Sequence, residues 1–309
     1  MIRRHLREIA VAGVYLLLLA VLAVFAPTFF HGDKFRSILV SSAPVLVVAV
    51  GMTLVILARH IDISVGAQFS LCGIVAGLLT QAGVPMPLVA LGTIATGAAY
   101  GAVNGLLVAG LRLPSIVVTL ATLGIGREAL RWWREGEFVR NLSDRFQWFG
   151  AGQSTGQWIV IGIAVAVCGA FAWGLRNLAM GRAVFATGSD AEAARLAGIR
   201  PQRVVFSVFT LLGALAGLGA LLNGVRFVDI DPNAGMGLEM LVIAAVVVGG
   251  TAISGGRGTL AGTLAGVLLL GTIGPALVFL HIQPHWEKAL QGAIILLAVA
   301  SDALERRRS

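Results

Sequence analysis

Runs of about 20 apolar residues recur along this chain, and each is long enough to cross the hydrocarbon core of a bilayer as a helix. Within lipid, every backbone N–H and C=O group needs a partner inside the protein, so only helices and closed barrels span membranes. The 40 glycines and the lack of long segments of alternating polarity argue against a barrel. The sequence therefore predicts an all-α, polytopic transmembrane helical bundle. Its ten predicted spans are 9–26, 38–58, 65–80, 88–109, 114–130, 157–175, 204–222, 239–253, 259–280 and 287–303.

The basic residues are distributed as membrane topology requires. The formal net charge is +8, yet the arginines sit in short loops between apolar runs, which disfavours a nucleic-acid partner. An even number of spans puts both termini on one side. If that side is the cytoplasm, 14 of the 23 basic and six of the 15 acidic residues face inwards, so the excess of +8 lies inside. This asymmetry predicts cytoplasmic termini in a multi-pass membrane protein.

Two of the predicted loops are long, one on each side of the membrane. The outer loop, 131–156, is rich in Trp and Phe. Anchoring at the membrane interface accounts for such residues, and so does docking of a soluble protein from outside. The inner loop covers 176–203. Since the other loops are short, we expect a single transmembrane domain over 1–309.

The inner loop contains a polar stretch, GSDAEAARLAGIRPQRV, that predicts a short helix over 189–198. Ser189 and Glu192 have the spacing of a capping box, and Asp190 adds negative charge at the positive end of the helix. Gly198 and Pro201 then end it. An apolar face is predicted from Ala193, Leu196 and Ala197. So short a helix needs something to pack on, either the bundle itself or a groove in a partner protein.

A second anomaly interrupts the apolar run of residues 51–73, where Arg59, His60 and Asp62 follow one another closely. A charged residue at the centre of a spanning helix costs about 2.5–3.5 kcal/mol. The stretch is thus either a cytoplasmic turn between two spans or a broken helix that lines a solute path. No third ligand accompanies His60 and Asp62, so no metal site is predicted. The candidate path residues are Asp62, Ser64, Gln68, Asn104 and Thr119.

Glycines at four-residue spacing occur in both halves of the chain and predict close helix packing. They are Gly97, Gly101 and Gly105 in the first half, and Gly262 and Gly266 in the second. Each set follows an apolar run broken by polar or glycine residues. Transporters are often built from repeats with such interrupted segments, although a chain so rich in small residues could produce the similarity by chance.

The usual energy sources of a transporter are missing from the sequence. It has no GxxxxGK[ST] phosphate loop, and its two lysines follow no glycine-rich segment, so we expect neither ATP hydrolysis by this chain nor a bound cofactor. It also lacks a ladder of intramembrane carboxylates or histidines, Asp62 being the only obvious acid there. A passive channel, or a subunit powered by a partner, remains.

Three segments, in order along the chain, resemble ribose-type permeases of bacterial ABC importers, relatives of the branched-chain permeases. They are ARHIDISVGAQFSLCGIVAGLL, MGRAVFATGSDAEAARLAGI and GLEMLVIAAVVVGGTAISGGRGTLAGTLAGVLLLG. The pieces LSDRFQWFG and WREGEF are similar to permeases for rhamnose or autoinducer-2. Arg59 and His60 depart from the small residues usual in the family at those positions.

This resemblance implies an assembly of two permease subunits, identical or sister, with two cytoplasmic ATPases and a periplasmic solute-binding protein. It also implies that the polar helix is a coupling helix that docks on the ATPase. The coupling residues would be Glu192, Ala193, Ala194, Leu196 and Gly198. The expected function is import of a monosaccharide or similar small polar solute. The alternatives are a stand-alone facilitator or ion-coupled carrier, and a membrane enzyme acting on lipid, which no constellation of His, Cys or carboxylate residues supports.

Overall fold

A computed structural model describes residues 2–283, 285–294 and 296 of the chain, and within them nearly all regular structure is helical. The eleven helices with defined bounds are α1 Ile2–Phe25, α2 Gly32–Leu57, α3 Val65–Gln81, α4 Met86–Gly105, α5 Ser115–Arg134, α6 Gln153–Asn177, α7 Ala179–Ser189, α8 Ala191–Leu196, α9 Pro201–Gly224, α10 Leu238–Val248 and α11 Leu260–Phe279. Of the tenth predicted span, 287–303, the part after residue 296 lies outside the described residues.

Five helical segments in the described part are long and apolar enough to cross a membrane, judged by length and composition. They are Gly32–Leu57, Met86–Gly110, Gln153–Asn177, Pro201–Gly224 and Leu260–Phe279. Shorter apolar segments belong to α1, α3 and α10. The second half of α5 carries four charged residues, which lowers its hydropathy. The helical bundle is thus confirmed, and the count of ten spans and the side of the termini remain predictions.

The predicted span 239–253 is wrong in its helical extent, because α10 ends at Val248. Eleven residues of helix cover about 16 Å, half of a bilayer core of about 30 Å. The chain leaves the helix through a glycine-rich turn in which Gly250, Gly255 and Gly256 have φ angles of +94°, +79° and +70°. Residues with a Cβ rarely adopt such angles, so the turn depends on glycine.

The segment before α10 runs along α3 instead of staying outside the bundle. Ile230 forms an antiparallel bridge with Val139 and lies against Gly77, near the end of α3. Five residues later, the Gly235 N–H donates to Ser70 Oγ at 2.9 Å, close to the start of α3. The short α10 is therefore preceded by a stretch of turns, residues 231–237, that packs along α3 from its end towards its start.

Helix α9 lies at the centre, packed along α2, α3 and α4. Residues 46–58 of α2 and its end are all buried, which explains why α2 reads as a continuous apolar run. The seam between α4 and α9 is built from glycine. A Cβ on Gly97 would meet the Gly213 carbonyl, and one on Gly101 would meet the Phe209 carbonyl, so the two backbones touch directly. Gly105 faces Phe206 in the same seam.

The glycines of the second half also lie at close backbone contacts. Gly262 sits against Gly249, and Gly266 sits against the Ala245 carbonyl, which brings α11 next to α10. Small residues at these positions let the helices approach to backbone distance, where van der Waals packing holds helices together in lipid.

Candidate functional site

Four of the five predicted path residues form one hydrogen-bonded cluster at the break between α2 and α3. Asp62 Oδ1 accepts from the Ser64 N–H at 2.8 Å and from Ser64 Oγ at 2.6 Å. Asp62 Oδ2 accepts from Gln68 Nε2 at 3.0 Å and from Asn104 Nδ2 at 3.3 Å. The same two amides also donate to Ser64 Oγ, at 2.9 and 2.8 Å. The cluster thereby ties the break to α3 and α4.

Thr119, the fifth residue, lies beside this cluster on α5. Its hydroxyl donates to the Ser115 carbonyl at 2.9 Å and lies 3.5 Å from the Ile61 carbonyl, one residue before Asp62. All five predicted residues have 0% exposure. The structure brings them together, as the path hypothesis requires, but closes them off from any surface.

The break after α2 meets the break after α10. The Gly256 N–H donates to the Leu57 carbonyl, the last of α2, at 2.9 Å. One turn deeper, the buried hydroxyls of Thr53 and Thr263 are 2.8 Å apart. The two interrupted segments recognised in the sequence therefore share one junction, which we define as the Leu57–Gly256 junction. Gly188, near the end of α7, covers it so closely that a Cβ there would collide with the Leu57 carbonyl.

The predicted inner loop is helical for most of its length, because α7 precedes the short helix α8. This changes the predicted cap. Ser189 is the last residue of α7, so it cannot cap α8, and the capping box of Ser189 with Glu192 is wrong. Asp190 caps α8 instead, its Oδ1 accepting from the N–H groups of Glu192 and Ala193 at 2.9 and 3.0 Å. Glu192 forms an ion pair with Arg195 at 2.6 Å.

The predicted apolar face of α8 points away from the protein. Ala194 is the buried residue, with 4% exposure, whereas Leu196 is 81% exposed. Ala193, Ala197 and Gly198 are exposed as well. Helix α8 thus rests on the bundle through Ala194 and presents Leu196 outwards.

One polar feature was missed in the sequence. Arg127 of α5 and Glu239 of α10 form an ion pair of 2.8 Å. The two residues fall inside the predicted spans 114–130 and 239–253, so the statement that Asp62 is the only obvious intramembrane acid is wrong. Checking each predicted span for charge would have found both residues, but nothing in the sequence pairs positions 112 residues apart.

The outer segment 131–156 folds back onto the bundle. Val139 and Phe146 are almost fully buried, with 1% exposure each, while Trp132 is 84% exposed. The aromatic residues of this segment therefore divide between core packing and the surface. Among the described residues, no group of three or more His, Cys, Asp or Glu side chains is placed to hold a metal ion.

Comparison with known proteins gives a consistent result. Residues 35–299 match the family described as branched-chain amino acid transport system / permease component. The chain is 35% identical to the ribose import permease protein RbsC of Escherichia coli K12 over 292 residues, 93% of this chain and 91% of that protein. It is 34% identical to the autoinducer 2 import system permease protein LsrC of Escherichia coli O157:H7 over 291 residues, 92% of this chain and 85% of that protein. No solved structure matches.

Proposed function

Because this chain belongs to the family of permease components of branched-chain amino acid transport systems, we propose that it moves a small polar solute inwards as the permease subunit of an ATP-driven importer. It is a multi-pass inner-membrane protein. The names of its relatives, permeases for ribose and for autoinducer 2, favour a monosaccharide or similar solute such as a ribose-like sugar, rhamnose or autoinducer 2. The solute would pass through unmodified, and partner ATPase subunits would hydrolyse ATP.

The exposed Leu196 side chain on the capped helix α8 is the observation that supports docking of an ATPase partner. Burying a leucine side chain that is otherwise exposed to water contributes about 1.5–3 kcal/mol. A six-residue helix is unstable in water unless it packs on something, and Ala194 supplies its only buried contact on the bundle side. A groove in a cytoplasmic ATPase that receives Leu196 and Ala193 would bury the remaining face.

The position of α8 supports a mechanical role as well. Asp190 links α7 to α8, and Gly188 lies directly on the Leu57–Gly256 junction. A push on α8 is therefore transmitted through backbone contacts to the breaks in both halves of the bundle. In the proposed cycle, two ATPases close on ATP, press on the α8 helices of two permease subunits, and switch the bundle between outward and inward openings. A periplasmic binding protein would deliver the solute.

The test substitutes the exposed Leu196 and not the buried Ala194, because Ala194→Asp would also disturb folding. Leu196→Asp places a charge in the proposed groove, and Leu196→Met is the matched control that keeps the apolar contact. Tagged chains are extracted from their host in mild detergent, and the co-purifying ATPase is quantified. Losing about 1.5–3 kcal/mol weakens ATPase binding roughly 10- to 100-fold in Leu196→Asp only.

Two results would contradict the proposal. If Leu196→Asp retains the ATPase as well as wild type does, α8 is not the docking helix. If wild-type protein reconstituted alone takes up solute without any ATPase, the chain is a stand-alone facilitator or carrier.

A further inference from the structure

Within the described part of the chain, the Arg127–Glu239 pair is the one ion pair that joins two different helices. The others, Asp33–Arg36, Glu128–Arg131 and Glu192–Arg195, connect residues three apart. The long-range pair links α5, a helix at the edge of the bundle, to the first turn of α10. It is therefore a tertiary feature and not a local helix-surface pair.

The Arg127 side chain is partly exposed, and its charge indicates which medium that exposed part faces. Its side chain is 32% exposed, although it lies within a predicted span. An ionised side chain facing hydrocarbon is costly, and ionisable residues inside spans almost always face the protein interior or a water-filled cavity. The open side of Arg127 is thus expected to face water or a polar ligand.

The face of α5 that packs on the bundle carries polar groups in the half of the helix before Arg127. Ser115 and Thr119 lie beside the break after α2, and the Thr122 carbonyl accepts from the Tyr100 hydroxyl at 2.5 Å. Arg127 follows Thr119 and Leu123 at four-residue spacing, so a leucine separates it from these polar groups, while Ile125, two residues away, is 69% exposed on the other face. A route for a polar solute needs polar groups of this kind along its wall.

Glu239 has unused hydrogen-bonding capacity. Its side chain is 9% exposed and its Oε1 contacts Arg127, but its Oε2 is buried without a hydrogen-bond partner. Gly66 makes room for this oxygen, since a Cβ at that position would collide with it. A buried carboxylate oxygen without a donor is costly, so a ligand that donates a hydrogen bond to it gains free energy.

We propose that Arg127 and Glu239 line the solute path and bind hydroxyl groups of the transported solute, an assignment that rests on the proposed transport function. A solute hydroxyl donates to Glu239 Oε2, and a neighbouring solute oxygen accepts from the Arg127 guanidinium. A guanidinium beside a carboxylate offers donor and acceptor together, which suits a neutral polyhydroxylated solute. In this assignment the Asp62 cluster, whose four residues are hydrogen-bonded to one another, holds the break between α2 and α3 in place.

Thiol accessibility tests whether the pair faces water. In a Cys72→Ala/Cys168→Ala background, Arg127→Cys is compared with Ile125→Cys, which lies at nearly the same depth on the opposite face of α5. A membrane-impermeant, cationic methanethiosulfonate is applied to the assembled transporter with and without ATP turnover. Because only a water-exposed, ionisable thiol reacts, we expect about tenfold or faster labelling at position 127. Arg127→Cys leaves the Glu239 carboxylate without its ion-pair partner, and an unpaired buried charge impairs folding. The comparison is therefore repeated in a Glu239→Gln background, which removes that charge.

Labelling at 127 no faster than at 125, in both backgrounds and under both conditions, overturns the assignment. Uptake of D-ribose, used as the probe, supplies the second measurement. Arg127→Lys and Glu239→Gln should keep ATPase binding but raise the KM for uptake, whereas unchanged KM values in both variants would refute solute contact. Wild-type uptake without ATPase would instead refute the proposed importer, so the two failures are distinguishable.

Discussion

Replacing Asp62 tests whether the buried cluster stabilises the fold at the break between α2 and α3. Asp62→Ala removes the acceptor of four hydrogen bonds. Gln68 and Asn104 would still donate to Ser64 Oγ, so each keeps one partner. The backbone N–H and the hydroxyl of Ser64 lose theirs, and both are buried.

The expected cost follows from that count. An orphaned buried donor costs about 1–3 kcal/mol, so two of them cost about 2–6 kcal/mol. Asp62→Asn should be milder. The new side-chain oxygen still accepts from the backbone N–H and the hydroxyl of Ser64, the two donors that Asp62→Ala leaves without a partner, and Gln68 and Asn104 keep their bonds to Ser64 Oγ. We therefore expect Asp62→Asn to cost about 1–3 kcal/mol, because only the bonds from Gln68 and Asn104 to the second carboxylate oxygen are lost, at about 0.5–1.5 kcal/mol each.

Thermal unfolding in detergent, followed with a thiol-reactive fluorophore, measures this difference. The two native cysteines, Cys72 and Cys168, are buried, so they react only as the protein unfolds. At about 2 °C per kcal/mol for a chain of this size, Tm should fall by about 4–12 °C in Asp62→Ala. The reasoning is refuted if Asp62→Ala lies within 2 °C of wild type, or if Asp62→Asn is equally damaging.

Two further predictions concern glycines. Gly101→Ala should lower Tm strongly, because the added methyl group meets the backbone of α9, which cannot move aside. The control Gly162→Ala, which adds a methyl group in open space on α6, should be neutral or stabilising by about 0.5–1 kcal/mol. Equal Tm values for the two variants would contradict direct backbone packing between α4 and α9. Gly188→Ala should leave the ATPase bound but reduce uptake per ATP hydrolysed, because it wedges α7 away from the Leu57–Gly256 junction; an unchanged ratio of transport to hydrolysis would show that this contact transmits nothing.

Local patterns in the sequence predicted the helices well where apolar runs were continuous, as in α2, α9 and α11. These local patterns failed where tertiary packing determines the backbone conformation. The predicted span 239–253 looks uniform in hydropathy, yet α10 stops at Val248, since the chain turns there through glycines supported by contacts with α11. The cap of α8 was misplaced by one residue because α7 was not anticipated, and Ser189 was already part of it.

In the candidate site, too, local patterns identified individual residues, and tertiary packing determined how they are arranged. Polar residues in apolar runs were correctly singled out, and Asp62, Ser64, Gln68 and Asn104 do meet, although Asn104 is 42 residues from Asp62. Their complete burial could not be predicted, because it depends on how α2, α3, α4 and α9 close around them. Pairing Arg127 with Glu239 requires knowing that α5 lies beside the start of α10, which is information that no local pattern contains.

The Leu57–Gly256 junction also sets a condition on biogenesis. Thr53 and Thr263, which meet beside it, are 210 residues apart. Ribosomes add about 5–20 residues per second, so α2 is synthesised roughly 10–40 s before its partner exists. During that interval the end of α2 and the polar stretch after it lack the contacts that complete them. A nascent or truncated chain would therefore display an unfinished polar break to the insertion machinery and to membrane proteases until the last third of the protein arrives.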